Sequence, residues 1–193
     1  MTLRPDIALP ERHEPLLLAW PTPGNPGGFI RFEQAEEWRA FVGARGLDPR
    51  IPDMVRTKFA RAQLLYLMGW IDFGLIKAGE LGALIALELA LMERYGGAIP
   101  KRQRSFANLL KYMVDADGLT DGDIAMIQQY GGTAIGQLTG VTRPTLAERR
   151  NTLAHGDPFE GLQTAGLLEL ARDLINYTYR DYFAEAAALG RIA

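Results

Sequence analysis

The stretch Asp53–Tyr95, DMVRTKFARAQLLYLMGWIDFGLIKAGELGALIALELALMERY, decides the fold class. It runs 43 residues without a proline. Pro52 and Asp53 form a helix-start signal. Met54, Phe59, Leu64, Leu65, Leu67 and Met68 supply a broad apolar stripe. Gly69, Gly74, Gly79 and Gly82 interrupt the run, which stops at Gly96–Gly97. The pattern predicts either two helices joined near Gly69–Gly74 or one long kinked helix, and periodicity does not choose between them. The most apolar part, Leu81–Met92, contains Glu88 and is too short for a membrane span of about 20 residues.

Working outward, the helical pattern continues to the C-terminal side. Lys101–Arg104 (KRQR) is a basic patch opening a helix over Phe106–Val114, with Phe106, Leu109, Leu110 and Met113 on one face. Asp115–Asp123 (DADGLTDGD) is an acidic loop. It is not an EF-hand calcium loop, because its twelfth position is Met126 instead of Glu. Ile124–Tyr130 predicts one or two helical turns. Thr142–Thr145 (TRPT) predicts a helix start, with Thr142 as cap and Pro144 in the first turn. That helix runs to about Ala154 and stops at Gly156. A closing helix is expected over roughly Leu162–Phe183.

On the N-terminal side the composition changes. Six of eleven prolines lie before Phe29, which disfavours a long helix there. Leu16–Trp20 (LLLAW) and Phe29–Phe32 (FIRF) flank the turn-forming Pro21–Gly28 and predict a small hairpin. Glu33–Val42 predicts a short helix, acidic at its start. The expected architecture is an all-α helical bundle over residues 51–193, preceded by an irregular, Pro-rich arm over 1–50.

Composition narrows the chemistry. The 193 residues are 48% hydrophobic and carry a net charge of −2, which excludes a disordered chain. Cysteine is absent, so disulfides, thiolate metal sites and a cysteine nucleophile are excluded. There are two histidines, His13 and His155, too few for an all-histidine metal site. No metal or other cofactor is expected. The near-neutral charge argues against non-specific duplex binding and leaves room for a local cationic groove. Met1–Pro10 lacks the apolar core of a signal peptide, so a soluble, cytoplasmic protein without membrane contact is expected.

One segment combines residues that chemistry needs: Glu148–Gly156, ERRNTLAHG. Asn151 and His155 are four apart and share a helix face, with Arg150 at its edge. Imidazole exchanges protons near neutral pH. Guanidinium holds a phosphate through parallel bonds and stabilises its transition-state charge. Together they suit metal-free RNA cleavage, in which a 2′-hydroxyl attacks the adjacent phosphate.

This segment resembles the signature of the HEPN superfamily of helical-bundle domains, an Arg and a His separated by four to six residues, often with Asn after the Arg. The long apolar helix expected ahead of it, Ile76–Tyr95 with Glu80, Glu88 and Glu93, the following Ser105–Leu119 and the closing helix resemble that family as well. The resemblance spans about Asp53 to Phe183. It implies a symmetric homodimer in active members, with two motifs meeting across the interface. It also implies roles: His155 as acid and base, Arg150 as the phosphate-stabilising cation, and Asn151 as the residue that positions either. Arg149, with five residues between it and His155, is a second candidate cation. Members that act as toxins beside a nucleotidyltransferase antitoxin often carry Tyr two residues after the His; Asp157 stands there in this chain.

A structural reading of the same residues competes. A His beside a C-terminal Gly caps carbonyls, and an Arg beside an apolar helix pairs with a buried acid, for which Glu88 is the obvious partner. The chain would then be a non-catalytic HEPN-like module binding a protein partner or small ligand. Glu80 is assigned to structural pairing. Lys101, Arg102 and Arg104, with Arg149, are candidate RNA contacts, or a solvated helix start in the case of the first three. Trp38, Trp70, Tyr177, Tyr179 and Tyr182 are assigned to the core or an interface, and His13 to an exposed position.

Overall fold

A computed structural model describes residues 7–156 and 163–183 of the chain. Asp157, Leu162 at the expected start of the closing helix, and the C-terminal end of the bundle lie outside the described residues. The chain is mostly helical, with one small sheet. Strands β1 (Leu16–Ala19) and β2 (Phe29–Phe32) pair antiparallel, with Leu16 opposite Phe32 and Ala19 opposite Phe29. Alternation decides which side chains go inward: Leu16 and Leu18 are buried and Leu17 is exposed. The Pro/Gly loop closes through paired bonds between Thr22 and Asn25, whose amides each donate to the other's carbonyl at 2.9 and 2.8 Å. The hairpin expected from the two apolar runs is therefore present.

Helix α1 (Ala35–Gly43) follows, its start held by a reciprocal cap between Gln34 and Glu37. The decisive stretch forms two helices, α2 (Asp53–Met68) and α3 (Gly74–Tyr95). The break lies at residues 69–73, where the Asp72 carboxylate accepts the Gly74 amide at 2.9 Å. The connection is short, so α2 and α3 fold back on each other as a helical hairpin. Gly79 sits in their seam: a Cβ there would lie 2.6 Å from Tyr66 Cδ2 and 3.1 Å from the Ala62 carbonyl. The glycine is required for that approach.

Lys101–Gln103 is a short 3-10 turn that precedes α4 (Phe106–Asp115), whose Ser105 cap accepts the Asn108 amide at 3.3 Å. The acidic loop folds through a second 3-10 turn, Asp121–Asp123, into α5 (Ala125–Tyr130) and α6 (Ile135–Thr139). Its carboxylates are used internally. Asp121 accepts the Thr133 hydroxyl and the Ala134 amide, and Asp117 pairs with Arg180 at 2.7 Å. Helix α7 (Leu146–His155) and helix α8 (Leu167–Thr178) complete the bundle, with a further helical turn over 180–183. The closing helix thus begins at Leu167, later than its apolar pattern suggested. Gly166, at φ +72°, precedes it in a conformation that breaks helical geometry.

Core residues come from every part of the described chain. Leu18, Trp20, Trp38 and Val42 of the arm join Phe59, Tyr66, Leu84, Leu87, Leu110, Leu174 and Ile175 in one buried cluster. Trp38 Nε1 donates to the Leu67 carbonyl at 3.0 Å and Trp70 Nε1 to the Pro10 carbonyl at 2.7 Å, so both indoles are core residues with satisfied N–H groups. Tyr179 is buried and donates to Glu93 at 2.9 Å. His13 is exposed. Among the described residues, no helix is long and apolar enough to cross a membrane.

Candidate functional site

Helix α7 is set by its first turn. The Thr145 hydroxyl accepts the Glu148 amide at 3.0 Å, and the Glu148 carboxylate accepts the Thr145 amide at 2.8 Å. Arg143 adds an ion pair to Glu148 at 2.7 Å. The Thr145 amide, above all, holds the Glu148 carboxyl below its usual range. The cap is therefore Thr145, and Thr142 and Pro144 precede the helix, contrary to the expectation from TRPT. The reason is the Thr-x-x-Glu spacing, which satisfies two end groups reciprocally. The Thr142 amide instead donates to the Gly136 carbonyl at 2.9 Å, closing the end of α6.

Leu146 and Ala147 bury the start of α7, which packs mainly on α3. The remaining turns are polar, and their two arginines reach different parts of α3. Arg150 Nη2 donates to Glu88 Oε2 at 2.9 Å, with both side chains about three-quarters buried. Arg150 Nη1 donates to Asn151 Oδ1 at 3.2 Å, and its buried Nε has no partner. Glu88 lies at the core's edge: Leu84 and Leu91 beside it are buried, while Ile85 is 40% exposed.

Asn151 and His155 are exposed, one turn apart, and His155 is the last residue of the helix. Gly156 follows at φ +84°, a conformation costly for any residue with a Cβ. The structure therefore brings Arg150, Asn151 and Glu88 into contact and places His155 beside Asn151 on the open face. That face presents the His155 imidazole beside the Asn151 carboxamide, with the Arg150 guanidinium behind them. Among the described residues, no group of three or more His, Asp or Glu side chains is arranged to hold a metal ion.

Arg149 points elsewhere. Its Nη1 donates to the Thr164 hydroxyl at 3.2 Å, and it lines a cavity with Lys77, Glu80, Thr152, Leu153, Pro144 and Thr164. Glu80 is only 1% exposed, and its carboxylate accepts the Thr164 amide. Burial pushes its pKa up to about 8, against the opposing pull of that amide and of the Lys77 and Arg149 charges. The eight-position separation of Glu80 and Glu88 amounts to about 12 Å of helix, so the two acids serve separate partners. No sequence pattern marks Thr152 or Thr164 as functional. Thr164 has no helical periodicity, and only its return to α3 brings it against Glu80.

Lys101 and Arg102 are exposed on the 3-10 turn after α3. Arg104 is half-buried and donates to the Ile99 carbonyl at 2.9 Å, holding that turn together. Among the described residues, no hydrogen bond or ion pair links the three to α7. Comparison with family models, with curated proteins and with solved structures found no match.

Proposed function

We propose that this chain is a HEPN-type helical domain whose α7 carries a metal-independent endoribonuclease site. The observation that carries the reading is Arg150 bonded to Asn151 one turn before an exposed His155. In this reading two copies pair so that their α7 faces meet. The neutral His155 of one copy takes the proton from an RNA 2′-hydroxyl as that oxygen bonds to phosphorus. The protonated histidine of the other copy gives a proton to the departing 5′-oxygen as the P–O bond breaks. Arg150 stabilises the charge gathering on the phosphate, and Asn151 orients it. Lys101, Arg102 and Arg149 contribute backbone contacts. The products are a 2′,3′-cyclic phosphate and a 5′-hydroxyl. Incubating single-stranded RNA with the protein in EDTA and assigning the product ends tests this directly. Failure to cut a range of RNAs would contradict it.

A second reading has its own observation. The Arg150–Glu88 ion pair occupies part of the guanidinium, as a purely structural arginine would, and it favours a non-catalytic module that binds a protein partner or small ligand. Under that reading the RNA stays intact and His155 is replaceable without consequence.

A further inference from the structure

The cavity between α3 and α7 holds about 200 Å³, room for several waters at about 30 Å³ each and therefore for a phosphoryl group. Three features of its wall favour an anion. Arg149 lines it, its guanidinium held in place by the bond from Nη1 to the Thr164 hydroxyl. Lys77 adds a second positive charge, and the Thr152 and Thr164 side chains add hydroxyl donors. The acid on the wall, Glu80, is buried with its carboxyl on the Thr164 amide. Position is the fourth feature. Thr152 is three residues before His155 on the same helix, so the cavity mouth lies within one turn of the proposed reacting centre.

We propose that the cavity lined by Lys77, Glu80, Arg149, Thr152 and Thr164 is a phosphoryl-binding subsite that holds the RNA phosphate flanking the one attacked at His155. The RNA assignment rests on the nuclease reading above; the affinity for a phosphoryl group does not. Glu80 gives the subsite a pH dependence. At neutral pH its carboxyl is mostly protonated and uncharged, so it does not oppose an anion beside Arg149. Above about pH 8 it ionises and opposes an anion. The groups facing it are Lys77 on its own helix, Arg149 on α7 and Tyr66 on α2, whose phenol burial holds well above its usual range. A phosphodiester keeps one charge throughout this range.

The experiment measures binding of two probes in EDTA. One is a single-stranded RNA with every 2′-hydroxyl methylated, which cannot be cut by 2′-oxygen attack, followed by fluorescence anisotropy. The other is inorganic phosphate, followed by the melting temperature. Arg149→Gln should weaken the RNA about tenfold and abolish stabilisation by phosphate. Thr152→Asp, a change at an exposed position, should do the same without touching the core. RNA affinity should fall between pH 7 and 9 in the wild type and fall less in Glu80→Gln. Phosphate binding lost but RNA binding unchanged in both variants would overturn the RNA assignment. Unchanged binding of both probes in folded variants would overturn the subsite altogether. Wild-type protein that binds both probes through Arg149 yet cuts no unmodified RNA would remove the nuclease reading and leave the phosphoryl site standing.

Discussion

At the residue scale, two glutamates on α3 show how burial divides like side chains. Glu80 is enclosed, and its folded-state pKa lies near 8 against an ordinary value of 4.5. A carboxyl raised in this way binds its proton more tightly folded than unfolded. Its contribution to stability is complete below about pH 4.5 and is lost as pH rises through 8. The melting temperature should therefore decline across that window in the wild type. Glu80→Gln keeps an oxygen for the Thr164 amide and should flatten the decline; an identical pH profile in the variant would count against the assignment. Glu88, at the edge of the core, holds Arg150. Glu88→Ala should cost about 1 kcal/mol, a fall of about 2–4 °C in melting temperature, and an unchanged value would mean the pair contributes nothing. The sequence made the Glu88–Arg150 pair legible, because an acid in an apolar helix needs a cation and the motif helix offered one. The Glu80–Thr164 contact was not legible, since it depends on where a loop without periodic pattern returns.

At the element scale, apolar spacing and end signals make the helices readable except α6, and two apolar runs around a turn make the hairpin readable. What the spacing could not decide was whether residues 53–95 make one helix or two. The choice lies in side-chain geometry: Asp72 accepts the Gly74 amide, and α3 then folds back so closely that Gly79 touches the Tyr66 ring. Replacing Gly79 with Ala raises intrinsic helix propensity by about 1 kcal/mol but forces a Cβ into that ring and the Ala62 carbonyl. Overpacking of this kind costs about 1–3 kcal/mol, so urea denaturation should show Gly79→Ala to be no more stable than wild type, and less stable where the ring cannot yield. A clear gain in stability would mean the seam is looser than described. The cap of α7 lies three residues later than TRPT suggests, for a related reason. A Thr with Pro two residues on looks like a start, but the reciprocal Thr145–Glu148 bonds outcompete it.

At the scale of the whole molecule, the Pro-rich arm and the bundle share one core, and a buried ion pair crosses between them. Arg45, just after α1, pairs with Glu169 on α8 at 3.2 Å and lies over the rings of Phe41 and Trp20. Burial lowers the Arg45 pKa despite that partner, a sign of how completely the guanidinium is removed from water. Arg45→Ala should cost about 3 kcal/mol and lower the melting temperature by about 6–12 °C, in a single transition; two separated transitions would show that the arm unfolds by itself. The same body leaves one face of α7 open, with Asn151 and His155 presented to solvent and Arg150 braced from behind by Glu88. The chemistry proposed for that face is tested by the rate at which wild type and His155→Ala cut the same single-stranded RNA in EDTA, with circular dichroism confirming that both are folded. The wild type should cleave it, with a loss of at least about a hundredfold in the variant, on the scale of a removed general acid–base. Equal rates in the two proteins, or no cleavage by either, would contradict it.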